Sequence, residues 1–475
     1  MMTTDEFRRH AHELADWMAD YLEQIEEHPV RSSVAPREII DRLPLHPPGD
    51  PEEFGKIFDD FRSIILPGMT HWQHPSFFAY FPANTSPPSI LAEMLTATMG
   101  AQCMSWATSP SATELEERMM EWLRDMTGLP PNFTGVIQDT ASSANLCAIL
   151  SARERQTGYR INAGGFPPGG GFAAYASVEA NSSVEKAVKI AGLGAQGLRK
   201  IRVDDRFAMI PEELEAAIRR DRERGIVPLC VIATLGTTGS TAIDPLGPIA
   251  SLCAANGIWL HVDAAYAGTA LLLPEMRWMI DGIDTADSFV FNPHKWMFTN
   301  FDCSAYFVRD AESLIRTFEI FPEYLKTPER ERVNNYRDWG IQLGRRFRAL
   351  KLWFVIRSFG VKELQNRIRA HIGLAQSFAR KVQAAADFEL MAPSPLAAVC
   401  FRYHPADVAE TDALNSLNMK TMEKLNRSGR LYLTHTKLNG SVVLRLVTSQ
   451  TNVTERHCDD AWDRICAVAR EIPRG

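Results

Sequence analysis

Near the start of the chain, Phe7, Leu14, Met18, Tyr21 and Ile25 recur every three to four residues, which predicts an amphipathic helix. Thr3 with Glu6 makes a capping box at its start, and His28-Pro29 ends it. Residues 29–50 are rich in proline and predict only a short helical piece near Arg37 to Leu43. A second helix is expected from an Asp50 cap with Pro51 at its first position, with Phe54, Ile57, Phe58, Phe61 and Ile65 on its apolar face. Two helices across such a connection cannot bury both faces alone, so this segment is expected to pack on something else. From about 86 to 350, helical periods alternate with short apolar runs, the pattern of a doubly wound α/β domain. Leu229 to Leu235, Ile258 to Val262 and Phe289 to Phe291 read as buried strands. Beyond 351 the pattern changes. A long helix carries Leu364, Ile368, Ile372, Ala375, Phe378 and Val382 on one face. Strands are expected near 388–391, 397–403, 431–436 and 442–447, and a last helix from about Glu455. The expected division is a helical segment over 1–85, a large α/β domain over 86–350 and a small α+β domain over 351–475.

Composition adds bounds. The 475 residues are too many for one ordinary core and suit a large domain with smaller attachments. The formal net charge of −7 gives no reason to expect nucleic acid or an anionic membrane surface as a partner. No apolar run reaches the length of a membrane span, and MMTTDEFRRH lacks the apolar core of a signal peptide. Eight cysteines are scattered without metal-like spacing, several in apolar segments (Cys230, Cys253, Cys400), as expected of reduced core residues in a cytoplasmic protein. No metal site is expected.

Candidate chemistry begins at Asp287-Ser288-Phe289-Val290-Phe291-Asn292-Pro293-His294-Lys295-Trp296. The strand ends in a turn-forming Asn-Pro, which puts Lys295 at the mouth of a buried strand. Desolvation there lowers an ammonium pKa, and a neutral amine is a nucleophile able to form an imine with an aldehyde cofactor. A surface lysine lying across a tryptophan would read the same way. A second stretch, Ile258-Trp259-Leu260-His261-Val262-Asp263-Ala264-Ala265-Tyr266-Ala267-Gly268, puts Asp263 at the carboxyl end of another buried strand, where open α/β sheets bind ligands. A pyridoxal phosphate site needs both a lysine for the aldehyde and an acid that keeps the pyridine nitrogen protonated. Ala265 is small enough for a flat ring to lie against the backbone.

HVDAAYAG with FNPHKW resembles the group II pyridoxal phosphate decarboxylases, and among them most closely the aromatic L-amino acid decarboxylases. The resemblance continues in order through THWQHPSFFAYFP, SWATSPSATELE, ATLGTTGSTAIDPL, NFDCSAYFV and LGRRFRALKLWFV, covering nearly the whole chain. It implies a type I fold, with a seven-stranded mixed sheet in the large domain, and a homodimer in which the N-terminal segment packs on the partner subunit. It also implies pyridoxal phosphate held by Lys295, with Asp263 on the ring nitrogen. Ala141, Ser142, Asn292 and His294 would hold or orient the phosphate, and Thr238 would lie beside the cofactor. Gly344-Arg345-Arg346 resembles the stretch that reaches across the dimer toward the partner's cofactor phosphate. Ser142 opens a predicted helix whose free backbone N–H groups suit an anion, although an N-cap explains the same residues. Asp244 has two readings of equal weight, a place in the loop after Thr238 and an N-cap of the next helix. His294 has a rival reading as a core histidine bonded to a backbone carbonyl.

The charged, aperiodic stretch 321–337 reads as a mobile loop, and within it Tyr324 matches the residue the family uses to protonate the substrate's α-carbon. Trp72, Tyr80, Phe81, Pro82 and Met104 resemble the aromatic-binding walls. Ala83 stands where animal members often carry threonine, which removes a partner for a ring hydroxyl. Asn181 stands where the usual member has histidine stacked on the outer ring face. An asparagine covers the ring but cannot titrate or deliver a proton. The expected reaction is decarboxylation of an aromatic L-amino acid to an arylalkylamine. The alternative is an aldehyde synthase that couples decarboxylation to oxidative deamination. An aminotransferase or a glutamate-type decarboxylase would share Asp263 and Lys295, but the first needs an arginine for the substrate carboxylate and the second a polar pocket, and THWQHPSFFAYFP argues against both. A non-catalytic aldehyde-binding scaffold would have no use for Tyr324.

Overall fold

The computed structural model describes residues 2–169, 171–320 and 332–473. The chain forms two compact units. One comprises the residues up to Pro82, Ser377–Met391 and the residues from Cys400 on; the other comprises Ala83–Gln376 and Ala392–Val399.

The second unit is built on seven strands: β1 (Thr134–Gln138), β2 (Gly171–Ser177), β3 (Leu198–Ile201), β4 (Ile226–Thr234), β5 (Trp259–Asp263), β6 (Ser288–Phe291) and β7 (Ser304–Val308). Their order is β1-β7-β6-β5-β4-β2-β3. The run from β3 to β6 is parallel, whereas β7 is antiparallel to both neighbours, which makes the sheet mixed. β5, β6 and β7 are buried at every position, as their largely apolar character requires of strands covered on both faces. Helices Ala141–Thr157 and Ser182–Ile190 bury Leu146, Ile149, Val184 and Val188 against Ala174, Ile232 and Trp259. β5 and β6 run side by side with Asp263 opposite Val290, so their carboxyl ends open on one edge.

Beside this sheet, the segment read as a loop departs from expectation at its described end. Tyr336–Trp339 forms a buried 3₁₀ turn, and the Arg337 N–H donates to the Met104 carbonyl at 2.9 Å. The charged composition hid this because its charges pair locally: Arg337 and Asp338 lie 3.6 Å apart, while the Arg345 guanidinium covers the Tyr336 ring and pairs with Glu116 at 2.6 Å. Glu116 also accepts from the Ile137 N–H at 2.8 Å. Arg345→Met should strand that buried carboxylate and cost about 3–5 kcal/mol. The check is the urea midpoint, and a shift worth under about 1 kcal/mol would refute the buried pair.

The first unit carries a four-stranded sheet of β8 (Phe388–Leu390), β9 (Ala398–Tyr403), β10 (Thr434–Leu438) and β11 (Ser441–Val447), ordered β10-β11-β9-β8, with β10 antiparallel to β11 and β8 to β9. Trp462 of the last helix packs on Phe378 and Phe388, at 5.5 and 5.0 Å between ring centroids. The first helix spans Thr4–Glu23 and has the Thr3–Glu6 capping box. The second begins at Phe54 behind Glu53, three residues later than the Asp50-Pro51 signal predicts. Its Phe58 and Phe61 meet Trp17 edge-on, yet Phe7 and Ile57 stay more than half exposed. The long helix is interrupted at Gly360, whose φ of 68° is left-handed.

Candidate active site

Lys295 sits in the one-turn helix Pro293–Trp296 that follows β6 directly. That turn is fixed from several sides. Trp296 stacks on Tyr266 at 4.8 Å and its indole N–H donates to His371 Nδ1 at 3.0 Å. The Asn84 amide donates to the Lys295 carbonyl at 2.6 Å, and the Asn84 backbone N–H donates to the His294 carbonyl at 3.2 Å. Lys295 is half-buried. Desolvation pushes its pKa down, and the Asp263 carboxylate opposes that only in part.

Asp263 ends β5 and is almost wholly buried. One carboxylate oxygen accepts from the Ala265 N–H and the other from the Asn145 amide, both at 3.0 Å. Ala265 itself is partly exposed. Asn292 is buried, its side-chain oxygen accepting from Ser304 Oγ at 2.6 Å. The His294 Nδ1 accepts from the backbone N–H of Cys303 at 2.9 Å, so the imidazole is bonded to a backbone N–H and not to the carbonyl expected of a core histidine. Burial, with Lys295 beside it, pushes its pKa down to about 3. It is therefore neutral, with its remaining hydrogen on Nε2.

Ala141 and Ser142 open the helix Ala141–Thr157. Its N-cap, Thr140, makes no side-chain bond to the first turn, and Ser142 is exposed. The first-turn N–H groups are thus left without the usual side-chain cap and suit an anion. Asn181 caps the helix Ser182–Ile190. Its oxygen accepts from the Ser183 N–H at 2.9 Å, and its amide donates to Thr238 Oγ1 at 3.0 Å. Both ends of the amide are therefore tied, a capping role that the sequence reading did not assign. Asp244 neither caps the next helix nor faces this group. It is buried and pins Met209 N–H and Thr234 N–H at 2.7 and 2.8 Å, and burial raises its pKa to about 6.

The other candidates are distributed. Gly344 is exposed, while the following Arg345 turns inward to Glu116. Ala83 and Met104 are half-buried in the second unit. Trp72, Tyr80, Phe81 and Pro82 belong to the first unit. There Trp72 stacks on Tyr80 at 5.9 Å, the Tyr80 hydroxyl lies 3.3 Å from that of Tyr432, and Arg445 covers the Phe81 ring. Tyr324 lies outside the described residues. Asn84, Asn145, His261 and Tyr432 were missed. Of these only His261 left a signal, a polar residue two before Asp263 in an otherwise apolar strand.

A parallel-centred sheet with a lysine and an aspartate at adjacent strand ends, beside an uncapped helix start, has the parts that pyridoxal phosphate requires, and the fold is that of the type I pyridoxal phosphate decarboxylases. The conserved domain of pyridoxal-dependent decarboxylases matches residues 36–404. The chain belongs to that family and is a pyridoxal phosphate-dependent carboxy-lyase. It is 41% identical to tyrosine decarboxylase 1 of Narcissus pseudonarcissus over 97% of this chain and 92% of that one. It is 42% identical to phenylacetaldehyde synthase of Arabidopsis thaliana over 97% of this chain and 95% of that one. Among solved structures, Oryza sativa TDC with PLP and tryptamine superposes with a TM-score of 0.96 at 35% identity, covering 99% of each chain.

Proposed function

We propose that this enzyme removes the α-carboxylate of an aromatic L-amino acid as carbon dioxide and releases the arylalkylamine. The carrying observation is Lys295, half-buried and desolvated beside Asp263 at neighbouring strand ends, in a chain whose relatives include a tyrosine decarboxylase. Pyridoxal phosphate, when bound, supplies an aldehyde for amine attachment and an electron-withdrawing ring. Lys295 is the amine that holds it, and burial makes that amine easier to deprotonate. Asp263 faces the ring nitrogen and holds its proton. The first-turn N–H groups at Ala141 and Ser142, together with Asn292 and His294, take the phosphate. A neutral His294 serves there as a hydrogen-bond donor and adds no charge. Ala265 and Asn181 would lie against the ring, with Thr238 holding the Asn181 amide. Tyr324 returns a proton to the α-carbon, an acid step worth about 10²–10⁴-fold.

The active assembly in this reading is a homodimer, with Gly344 contributed toward the partner's site and residues 1–85 packed on the other subunit. The half-exposed Phe7 and Ile57 support it, as do Leu91, Met94, Leu95 and Met99 along one side of the helix Pro87–Met99. By the family resemblance, Trp72, Tyr80, Phe81, Pro82, Ala83 and Met104 are the residues assigned to the aromatic side chain. Eight free, buried cysteines support a reducing, cytoplasmic setting.

The test is incubation with tyrosine, tryptophan, phenylalanine and dopa, measuring carbon dioxide, amine, aldehyde and ammonia together. Carbon dioxide matched by the sum of amine and aldehyde, with amine the larger share, from at least one of them is the expected result; ammonia without carbon dioxide would defeat the reading. Asn181 bears on the product. An amide tied at both ends cannot carry a proton, so some turnover in air should consume dioxygen and end in aldehyde, ammonia and hydrogen peroxide. Asn181→His should lower that aldehyde fraction severalfold, at a cost of about 1 kcal/mol from the weakened helix cap. An unchanged amine-to-aldehyde ratio would remove Asn181 from product control.

A further inference from the structure

Trp259, His261 and Asp263 alternate along β5 and so share one face of the sheet. His261 is the register partner of Ser288 on β6, and Asn145 comes from the helix Ala141–Thr157. Four contacts join these residues into one file. The Trp259 indole nitrogen is 2.8 Å from Ser288 Oγ, and Ser288 Oγ is 2.8 Å from His261 Nδ1. His261 Nε2 is 2.7 Å from Asn145 Oδ1, and Asn145 Nδ2 is 3.0 Å from Asp263.

The two ends have fixed polarity, which orients everything between them. An indole only donates and a carboxylate only accepts. Ser288 Oγ accepts from Trp259 and keeps its single hydrogen for the Nδ1 of a neutral His261. His261 must then carry its hydrogen on Nε2 and donate to Asn145 Oδ1. The Asn145 amide cannot be reversed, because its oxygen would then face the Asp263 carboxylate. Its second N–H donates to Ser183 Oγ at 3.1 Å, so both amide hydrogens are used. His261 is neutral in this scheme, in keeping with burial that pushes its pKa down to about 4.

Apart from Asp263 at its mouth, the file is wholly buried, with Asn145, His261 and Ser288 fully enclosed and Trp259 nearly so. Polar groups in such a place cost stability unless every one is paired, and an apolar filling would serve the fold as well. What the file achieves that an apolar core would not is to fix the plane of one carboxylate. We propose that Asn145 and His261, backed by Ser288 and Trp259, are positioning residues that hold the Asp263 carboxylate in the orientation that keeps the cofactor's ring nitrogen protonated. This rests on the assignment of Asp263 to that nitrogen made above.

The experiment loads the protein with pyridoxal phosphate isotopically labelled at the ring nitrogen and reads the nitrogen resonance, the cofactor dissociation constant and the melting temperature. Asp263→Asn is the reference for an unprotonated ring. Asn145→Leu and His261→Phe should move the resonance toward that reference and weaken cofactor binding about 10-fold. His261→Gln retains an N–H for Asn145 and should keep the wild-type resonance. If Asp263→Asn leaves the resonance unmoved, the assignment of Asp263 fails, and the proposal falls with it. If Asp263→Asn moves it while Asn145→Leu and His261→Phe do not, the positioning role alone is overturned. It is also overturned if His261→Gln moves the resonance as far as His261→Phe. Should Asn145→Leu not fold, the His261→Phe and His261→Gln pair decides by itself.

Discussion

Lys295→Ala is expected to abolish attachment of the cofactor by borohydride reduction and to lower kcat by at least about 10²–10⁴-fold, the range lost when a single proton-transfer group is removed. The same substitution should leave the apoprotein folded. Lys295 enters a desolvated place, so its ammonium is held below its ordinary pKa of 10.5. The folded state then binds fewer protons than the unfolded state between that lowered value and 10.5, and in this window stability rises with pH. The share due to Lys295 is fully present above 10.5 and is lost as pH falls through the lowered value. Lys295→Ala should therefore flatten the alkaline rise in apoprotein melting temperature and should not destabilise the protein at neutral pH. Retention of borohydride-fixed cofactor on another lysine would refute the assignment.

Asp263→Asn should lower kcat by about 10²–10³-fold, the scale found when one preorganised electrostatic partner is removed. The structural reason is specific. Asp263 accepts from two N–H groups, those of Ala265 and Asn145. An amide there must turn its own N–H against one of them, so the ring nitrogen loses its charged partner and the side chain loses its orientation. The bound cofactor's absorbance and the separate values of kcat and KM check this. A change confined to KM, with kcat preserved, would mean that Asp263 binds substrate instead of serving the ring.

The sequence by itself singled out the two candidate anchors of the site. Asp263 ends an apolar run and Lys295 follows one across Asn292-Pro293, and the two together at the ends of buried strands are legible in the residues alone. It also determined the alternation that makes the large unit α/β, because side-chain period is a local property of the backbone. Other features were decided elsewhere. The start of the second helix moved to Phe54 because capping residues offer a boundary that packing can override. The turn at Tyr336–Trp339 is buried although its sequence is charged, since Arg345 reaches it from the neighbouring stretch and Glu116 from a helix more than two hundred residues earlier. Asn145 gave no signal in a helix of small residues; only the register of β5 against β6 and the seat of that helix bring it between His261 and Asp263. The first unit gathers three separate stretches of chain. Periodicity states which face of an element is apolar, but not which distant face will cover it. Which partner it meets is fixed by complementarity of whole surfaces, and that exists only in the folded chain.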